Sequence, residues 1–201
     1  MTLPGKIVLA TGNPGKVREI RRILGEFGVE VVPQTELGVG DADETGDSFM
    51  ENALIKARHA AAMTGLPAIA DDSGLVVDAL DGRPGVYSAR YSGADATDDS
   101  NIDKLLAELS GVPEEQRTAA FHCCAAYVSA DDSTSLIAEG RWQGRILEAR
   151  RGAGGFGYDP VFFDPDCGRT AAELGPELKN VRSHRGKALA ALAGMLREHY
   201  A

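Results

Sequence analysis

Cysteine is scarce in this chain, and the three copies exclude more than they supply. Cys123, Cys124 and Cys167 are an odd number without a CxxC spacing, so there is no complete disulfide framework and no redox motif. Cys123 and Cys124 are neighbours in a strand-like segment. Their side chains should leave opposite faces, which argues against one metal held by the pair. The expectation is buried free thiols in a reducing, cytoplasmic setting. Long apolar runs are also missing. Nothing approaches the roughly 20 residues that cross a bilayer, and Met1-Thr2-Leu3-Pro4-Gly5-Lys6 lacks the apolar stretch of a signal peptide. No membrane partner is expected. Excess positive charge is absent as well: 21 Lys and Arg stand against 30 Asp and Glu, a formal net charge of −9. Such a surface disfavours the nucleic-acid backbone. It still leaves room for a local cationic pocket that takes a small phosphorylated molecule. No Walker A sequence, GxGxxG fingerprint, Gly-x-Ser-x-Gly elbow or zinc-spaced His/Cys cluster occurs. Internal repeats, low-complexity tracts and separating linkers are lacking too. The 201 residues suit one sizeable domain or two small lobes.

What is present reads as α/β. Lys6 to Ala10 is a first strand with Ile7, Val8 and Leu9 buried. Thr11-Gly12-Asn13-Pro14-Gly15-Lys16 is a turn. A helix follows, carrying Val17, Ile20, Ile23, Leu24 and Phe27 at helical spacing, and Gly28 stops it. Val29 to Val32 is a second strand, which completes a strand–turn–helix–strand opening. Residues 41–47 form an acidic loop. Ser48 then caps a helix with Glu51 as its capping-box partner. Leu66 to Ala70 is a strand that leads to Asp71, and Leu75 to Leu80 is another. Further strands are expected at Thr118 to Val128, Ser135 to Ala138 and Arg141 to Ile146. Helices are expected around Ile102 to Leu109 and from Ser183 onward.

Four places can carry chemistry. Asp71-Asp72-Ser73-Gly74 sets two adjacent carboxylates after an apolar run. Ionised acids resist burial unless a metal, a cation or hydrogen bonds compensate. The pair points to a divalent-cation site, to acid–base chemistry or to both, although Asp-Ser-Gly is also good turn chemistry. The acidic loop with Asp41, Asp43, Glu44 and Asp47 adds oxygen ligands suited to Mg²⁺, or is a solvated surface. Asn13 and Lys16 stand beside a helix N-terminus, where free N–H groups favour anions, and Lys56 is either a second phosphate cation or a snorkelling surface lysine. Gly154-Gly155-Phe156-Gly157-Tyr158-Asp159-Pro160 can present a flat ring to a base or turn tightly around a core Phe. Ser183-His184-Arg185, with Lys179 upstream, offers donors for phosphate or base carbonyls, or is a surface pair.

Taken together and in order, Thr11 to Lys16, Glu44-Thr45-Gly46, Glu51-Asn52-Ala53, Ala70 to Leu75, Gly154 to Pro160 and Ser183-His184-Arg185 closely resemble the inosine triphosphate pyrophosphatase family (Ham1-like). Gly85-Val86-Tyr87-Ser88-Ala89-Arg90-Tyr91 is similar to its bacterial members. The resemblance covers nearly the whole chain. It implies an elongated mixed β-sheet flanked by helices, in one domain over residues 1–201 with two lobes, no separable linker and a central substrate cleft. It also implies a homodimer and Mg²⁺-dependent cleavage of ITP, dITP or XTP to monophosphate and pyrophosphate, which cleans the nucleotide pool. By the same resemblance Asp72 is proton acceptor and metal ligand, and Glu44 is the second metal carboxylate. Thr11, Gly12, Asn13, Pro14, Gly15 and Lys16 hold the triphosphate, and Ser73 touches substrate; the charge of the triphosphate gives Lys56 the role of a second phosphate cation. Phe156, Gly157, Tyr158, Asp159, Lys179, His184 and Arg185 surround the nucleoside.

Two rival readings follow from the residues. Asp41-Ala42-Asp43-Glu44-Thr45 fits the DxDxT pattern of haloacid dehalogenase-like phosphatases, but Glu36 to Gly40 is poor material for the strand such a nucleophile follows. A nucleotide-binding sensor would keep the base and phosphate contacts without needing Asp72.

Overall fold

Ile7, Val8 and Leu9 are fully buried, and this apolar run makes strand β1, Lys6–Leu9, the centre of the opening unit. In the computed structural model, which describes residues 5–25 and 28–201, helix α1 (Pro14–Gly25) returns the chain to strand β2 (Glu30–Pro33). Met1 to Pro4, Phe27 and the side chain of Ile23 lie outside the described residues. Strand β2 runs parallel to β1, with Lys6 opposite Glu30 and Leu9 opposite Pro33. Helix α2 spans Phe49–Thr64, and the Ser48 side chain accepts from the Glu51 N–H at its start. Glu51 does not close the expected box on Ser48. Its carboxylate accepts from the Asp47 N–H instead, at 2.8 Å.

Strand β3 (Ala68–Val77) pairs parallel to β1. It corrects two expectations at once. Asp71 to Gly74 is not a turn, and the strands on either side of it are one. Tertiary partners for both carboxylates, described below, override the local turn chemistry. Helix α3 (Asp98–Glu108) follows, then strands β4 (Thr118–Val128) and β5 (Ser135–Ile146). The last of these is continuous where two strands were expected. Strands β6 (Phe162–Asp164) and β7 (Arg169–Thr170) and helices α4 (Pro176–Arg182) and α5 (His184–Tyr200) complete the chain. The sheet has seven strands in the order β2-β1-β3-β4-β5-β6-β7. It is parallel across β2, β1 and β3 and antiparallel across β5, β6 and β7. This is the mixed α/β sheet that the sequence predicts. Among the described residues no helix is long and apolar enough to cross a membrane.

The chain divides into two compact units. The first comprises Met1–Asp72, Cys123–Gly140 and His184–Ala201. Its core is sorted by strand alternation. Ile7, Leu9, Ile69, Cys123, Ala125 and Tyr127 point to the side of Leu24, Leu189 and Leu192 from α1 and α5. Val8, Ala10, Ala68, Ala70, Cys124, Ala126 and Val128 meet Ala53, Ala57, Ala60 and Ala61 of α2 on the other side. Cys123 and Cys124 therefore sit on opposite faces, as read from the sequence, and both are buried free thiols.

The second unit comprises Ser73–His122 and Arg141–Ser183. Leu75, Leu105, Phe121, Trp142, Tyr158 and Phe162 are among its core residues, with the Phe121 and Phe162 rings 4.5 Å apart. Thr97 and Ser100 form a capping box at the start of α3.

Candidate active site

Alternation along β3 decides how the two adjacent acids are used. Asp71 follows Ile69 onto the α1 and α5 side, and Asp72 follows Ala68 and Ala70 onto the α2 side. Asp71 is 1 % exposed. Its Oδ2 lies 3.0 Å from Lys16 Nζ and 3.1 Å from Arg185 Nε, and the Cys123 thiol donates weakly to the same oxygen at 3.9 Å. Burial alone would raise this carboxyl, but Lys16, Arg185 and Lys56 outweigh it and hold Asp71 far below the usual carboxylate range. Burial, followed by Asp71, pushes the Cys123 thiol up. Asp71 is thus a permanent anion that ties the turn after β1 to the start of α5.

Asp72 faces different partners. Lys56 Nζ donates to Asp72 Oδ1 at 2.9 Å and to Glu44 Oε1 at 2.8 Å. Asn52 Nδ2 donates to Asp72 Oδ2 at 3.3 Å, and Asn52 Oδ1 accepts from the Gly46 N–H at 2.8 Å. This fully buried amide therefore fastens the loop that carries Glu44 to the strand that carries Asp72. Nothing in the local pattern of Glu51-Asn52-Ala53 signals this role, which depends on Gly46 and Asp72. For Asp72, burial exceeds the pull of its cations, and its pKa is raised. For Lys56, burial works downward, but Asp72, Asp71 and Glu44 outweigh it and raise the ammonium. Lys56 is not a surface lysine: its side chain is 12 % exposed and paired with both carboxylates.

Of the loop acids, Glu44 comes together with Asp72 on the Lys56 ammonium. Asp41 accepts from Gln34 Nε2 at 2.6 Å instead. Two carboxylates that converge on one ammonium are a suitable donor set for a hard divalent ion. Among the described residues, no group of three or more His, Cys, Asp and Glu side chains is placed to hold a metal by itself.

The turn at residues 11–16 is less open than its sequence implies. Asn13 Oδ1 accepts from the N–H groups of Gly15 at 2.8 Å and Lys16 at 3.1 Å, and Thr11 Oγ1 accepts from the Asn13 N–H at 3.2 Å. Asn13 therefore caps α1, and the N–H groups expected to be free for an anion are satisfied. Thr11 and Gly15 are partly covered, and Gly12, Asn13 and Pro14 are exposed.

In the second unit the glycine-rich segment folds around Asp159. Its Oδ2 accepts from the Phe156 N–H at 2.9 Å and from Lys179 Nζ at 2.5 Å. Gly155 has φ 77°, and a Cβ there would stand 1.9 Å from that same oxygen, so a side chain is doubly excluded. Lys179 lies 4.9 Å above the half-buried Phe156 ring, in cation–π range. The Gly157 N–H donates to Asp98 at 2.7 Å. Tyr158 is a core residue whose hydroxyl donates to the Ser88 carbonyl at 2.8 Å. Ser73, half-buried, is the unit's first residue.

His184 and Arg185 open α5 and are 7 % and 2 % exposed, so they are not a surface pair. Their seat depends on Gly140 in β5, where an added Cβ would lie 2.0 Å from the His184 carbonyl oxygen and 2.7 Å from Ala188 N. A lone glycine inside a strand can mark such a close backbone approach. That signal is legible in the sequence at Glu139-Gly140-Arg141.

With this geometry in hand, the chain belongs to the Ham1 family, whose model matches residues 7–195. Its relatives are more particular. The dITP/XTP pyrophosphatases of Pectobacterium atrosepticum and Escherichia coli O157:H7 are each 60 % identical to it over 193 residues, 96 % of this chain and 98 % of those proteins. The solved structure of a HAM1 protein from Coxiella burnetii superimposes with a TM-score of 0.88 at 49 % identity, covering 96 % of this chain and 98 % of that one.

Proposed function

We propose that this protein is a cytoplasmic, homodimeric nucleoside triphosphate pyrophosphohydrolase that uses Mg²⁺ and acts on ITP, dITP and XTP. The observation that carries the reading is the cluster of Asp72, Glu44 and Lys56, one residue along β3 from the Asp71–Lys16 pair. Carboxylate and ammonium chemistry for a metal-bound triphosphate is concentrated within a few residues. The names of the relatives support the substrate class.

Glu44 and Asp72 would hold the metal. Two protein carboxylates completed by phosphate oxygens and water are a usual environment for Mg²⁺. When bound, the ion neutralises triphosphate charge. The remaining work falls to side chains. Asp72, with its raised pKa, takes the proton from a water whose oxygen attacks the α-phosphorus. The bond from that phosphorus to the bridging oxygen breaks, and pyrophosphate leaves with the electron pair. Lys16 and Lys56 offset the negative charge that develops on the transferring group and the leaving pyrophosphate. Lys16 is kept in place by Asp71. Thr11 to Lys16 receive the triphosphate once Asn13 gives up its cap. Ser73, Phe156, Gly157, Tyr158, Asp159, Lys179, His184 and Arg185 contact the nucleotide by family resemblance. Tyr158 does so through its backbone, because its ring serves the core.

A nucleotide panel with Mg²⁺ tests the reading. ITP, dITP and XTP should yield pyrophosphate in multiple turnovers, with ATP and GTP poor substrates. Release of orthophosphate would overturn it in favour of a phosphatase. Binding without turnover would leave a sensor.

A further inference from the structure

We infer that Lys56 is a resident counter-ion: its ammonium holds the divalent cation's place between Glu44 and Asp72 in the nucleotide-free protein, and must leave for the metal to enter. The inference rests on the reading that these two carboxylates are the metal ligands. Its own basis is geometric. Lys56 Nζ is 2.8 Å from Glu44 Oε1 and 2.9 Å from Asp72 Oδ1. Mg²⁺ binds carboxylate oxygens at about 2.0–2.1 Å. An ammonium and a metal ion cannot both stand between the same two oxygens.

Charge and burial agree with this placement. The Lys56 and Asp72 side chains are 12 % and 9 % exposed. Without a shared cation, Glu44 and Asp72 would face each other in a poorly solvated place, with Asp71 ionised one residue away. Lys56 relieves that repulsion by pairing with both. A triphosphate then offers the ammonium a new anionic partner. Lys56 swings from carboxylate to phosphate as the metal takes its position, so metal and nucleotide enter as coupled events.

A lysine of this kind differs measurably from one that serves phosphate alone. Removing it should tighten metal binding in the absence of nucleotide, because a competitor is lost and two carboxylates are left wanting a cation. A lysine that merely preorganised the carboxylates would, when removed, weaken metal binding. One that touched phosphate alone would leave it unchanged.

The test is a titration of the nucleotide-free full chain with Mn²⁺, with the free ion counted by electron paramagnetic resonance. Lys56→Met and Lys56→Gln should bind Mn²⁺ about tenfold or more tightly than wild type, given the strength of close charges in a partly buried site. Lys56→Arg, which keeps the charge, should stay near wild type. Thermal melts establish that each variant is folded, and Gln retains a polar tip if Met does not fold. Adding Asp72→Asn to either uncharged variant should abolish the gain. Equal or weaker Mn²⁺ binding in both uncharged variants, with Asp72→Asn alone still weakening it, would overturn the counter-ion and leave the metal site standing. Mn²⁺ binding indifferent to Asp72→Asn in every background would remove the metal reading, and the inference with it.

Discussion

Asp71 and Asp72 are adjacent in sequence and turn their carboxylates to opposite faces of β3. Asp71 meets Lys16 and Arg185, whereas Asp72 meets Lys56 and Asn52. Their electrostatic fates diverge accordingly. Asp71 is held low and Asp72 is raised. Asp71, pinned between two cations, is poorly placed to take up a proton, and Asp72 is the base of the proposed mechanism.

Asp71→Asn should damage the protein before it damages the chemistry. It leaves two cations facing a neutral amide in a buried site, and breaking a buried pair costs about 3–5 kcal/mol. Denaturant unfolding should register that loss. Titration with a triphosphate analogue should register weaker binding as Lys16 loses its anchor.

Asp72→Asn should keep the fold and lose turnover. A missing general base lowers the rate by roughly 10²–10⁴-fold. On the proposed mechanism the ionised form of Asp72 accepts the proton. Burial raises Asp72 in the absence of metal and a bound cation opposes that shift, so the acid limb of kcat/KM should move to lower pH as Mg²⁺ is increased. Steady-state assays across pH and Mg²⁺ concentration, scored by pyrophosphate, check both points.

His184→Ala should change which base is accepted more than it changes metal handling. Hypoxanthine and xanthine carry a 6-oxo acceptor where adenine carries an amino donor. Sites that pair such groups discriminate by about 10⁴-fold. The ITP-to-ATP ratio of kcat/KM should shrink in the variant, and an unchanged ratio would remove His184 from base reading.

Gly140→Ala forces a methyl group into the His184 carbonyl. Overpacking of this kind costs about 1–3 kcal/mol, and here the strain falls on the start of α5. A lowered melting temperature should therefore come with an altered ITP-to-ATP ratio, as in the His184 variant. Gly140→Ser should repeat both effects.

Asp164 tests the second unit. It is 1 % exposed and accepts from Trp142 Nε1 at 2.8 Å and from Arg182 Nε at 2.7 Å. Burial would raise it, but the Arg182 and Trp142 bonds prevail and lower it. A lowered folded pKa contributes stability that is present above the unfolded value, about 3.9. That stability is lost as pH falls through the folded value. Asp164→Asn should lower the melting temperature at neutral pH, and the gap from wild type should close on acidification.

Much of this was legible in the residues. The strand–turn–helix–strand opening, the Ser48 cap and the opposed faces of Cys123 and Cys124 all follow from local pattern. What escaped depends on partners far along the chain. Arg185 reaches Asp71 across 114 positions, and without it Asp71 to Gly74 reads as a turn. Helix α4 has seven residues, too few to display a period. The Asn13 cap is a local exception: Asn directly before the Pro14 that starts α1 is an N-cap signal, and its side chain takes the Gly15 and Lys16 N–H groups. The site residues themselves were named from the order of motifs, whereas their pairing into Lys16–Asp71–Arg185 and Glu44–Lys56–Asp72 needed three dimensions.

The alanine seam beneath α2 has a consequence for how this protein can drift. Ala53, Ala57, Ala60 and Ala61 meet Ala68, Ala70 and Ala126, small residues on both sides of one contact. Growth by even a single methylene there has nowhere to go except into lifting the helix. Because α2 carries Lys56 and Asn52 and β3 carries Asp72, such a lift would alter the reach of an ammonium to a carboxylate without touching a polar atom. Variation in the ionic behaviour of this protein can therefore originate in apolar substitutions at this seam.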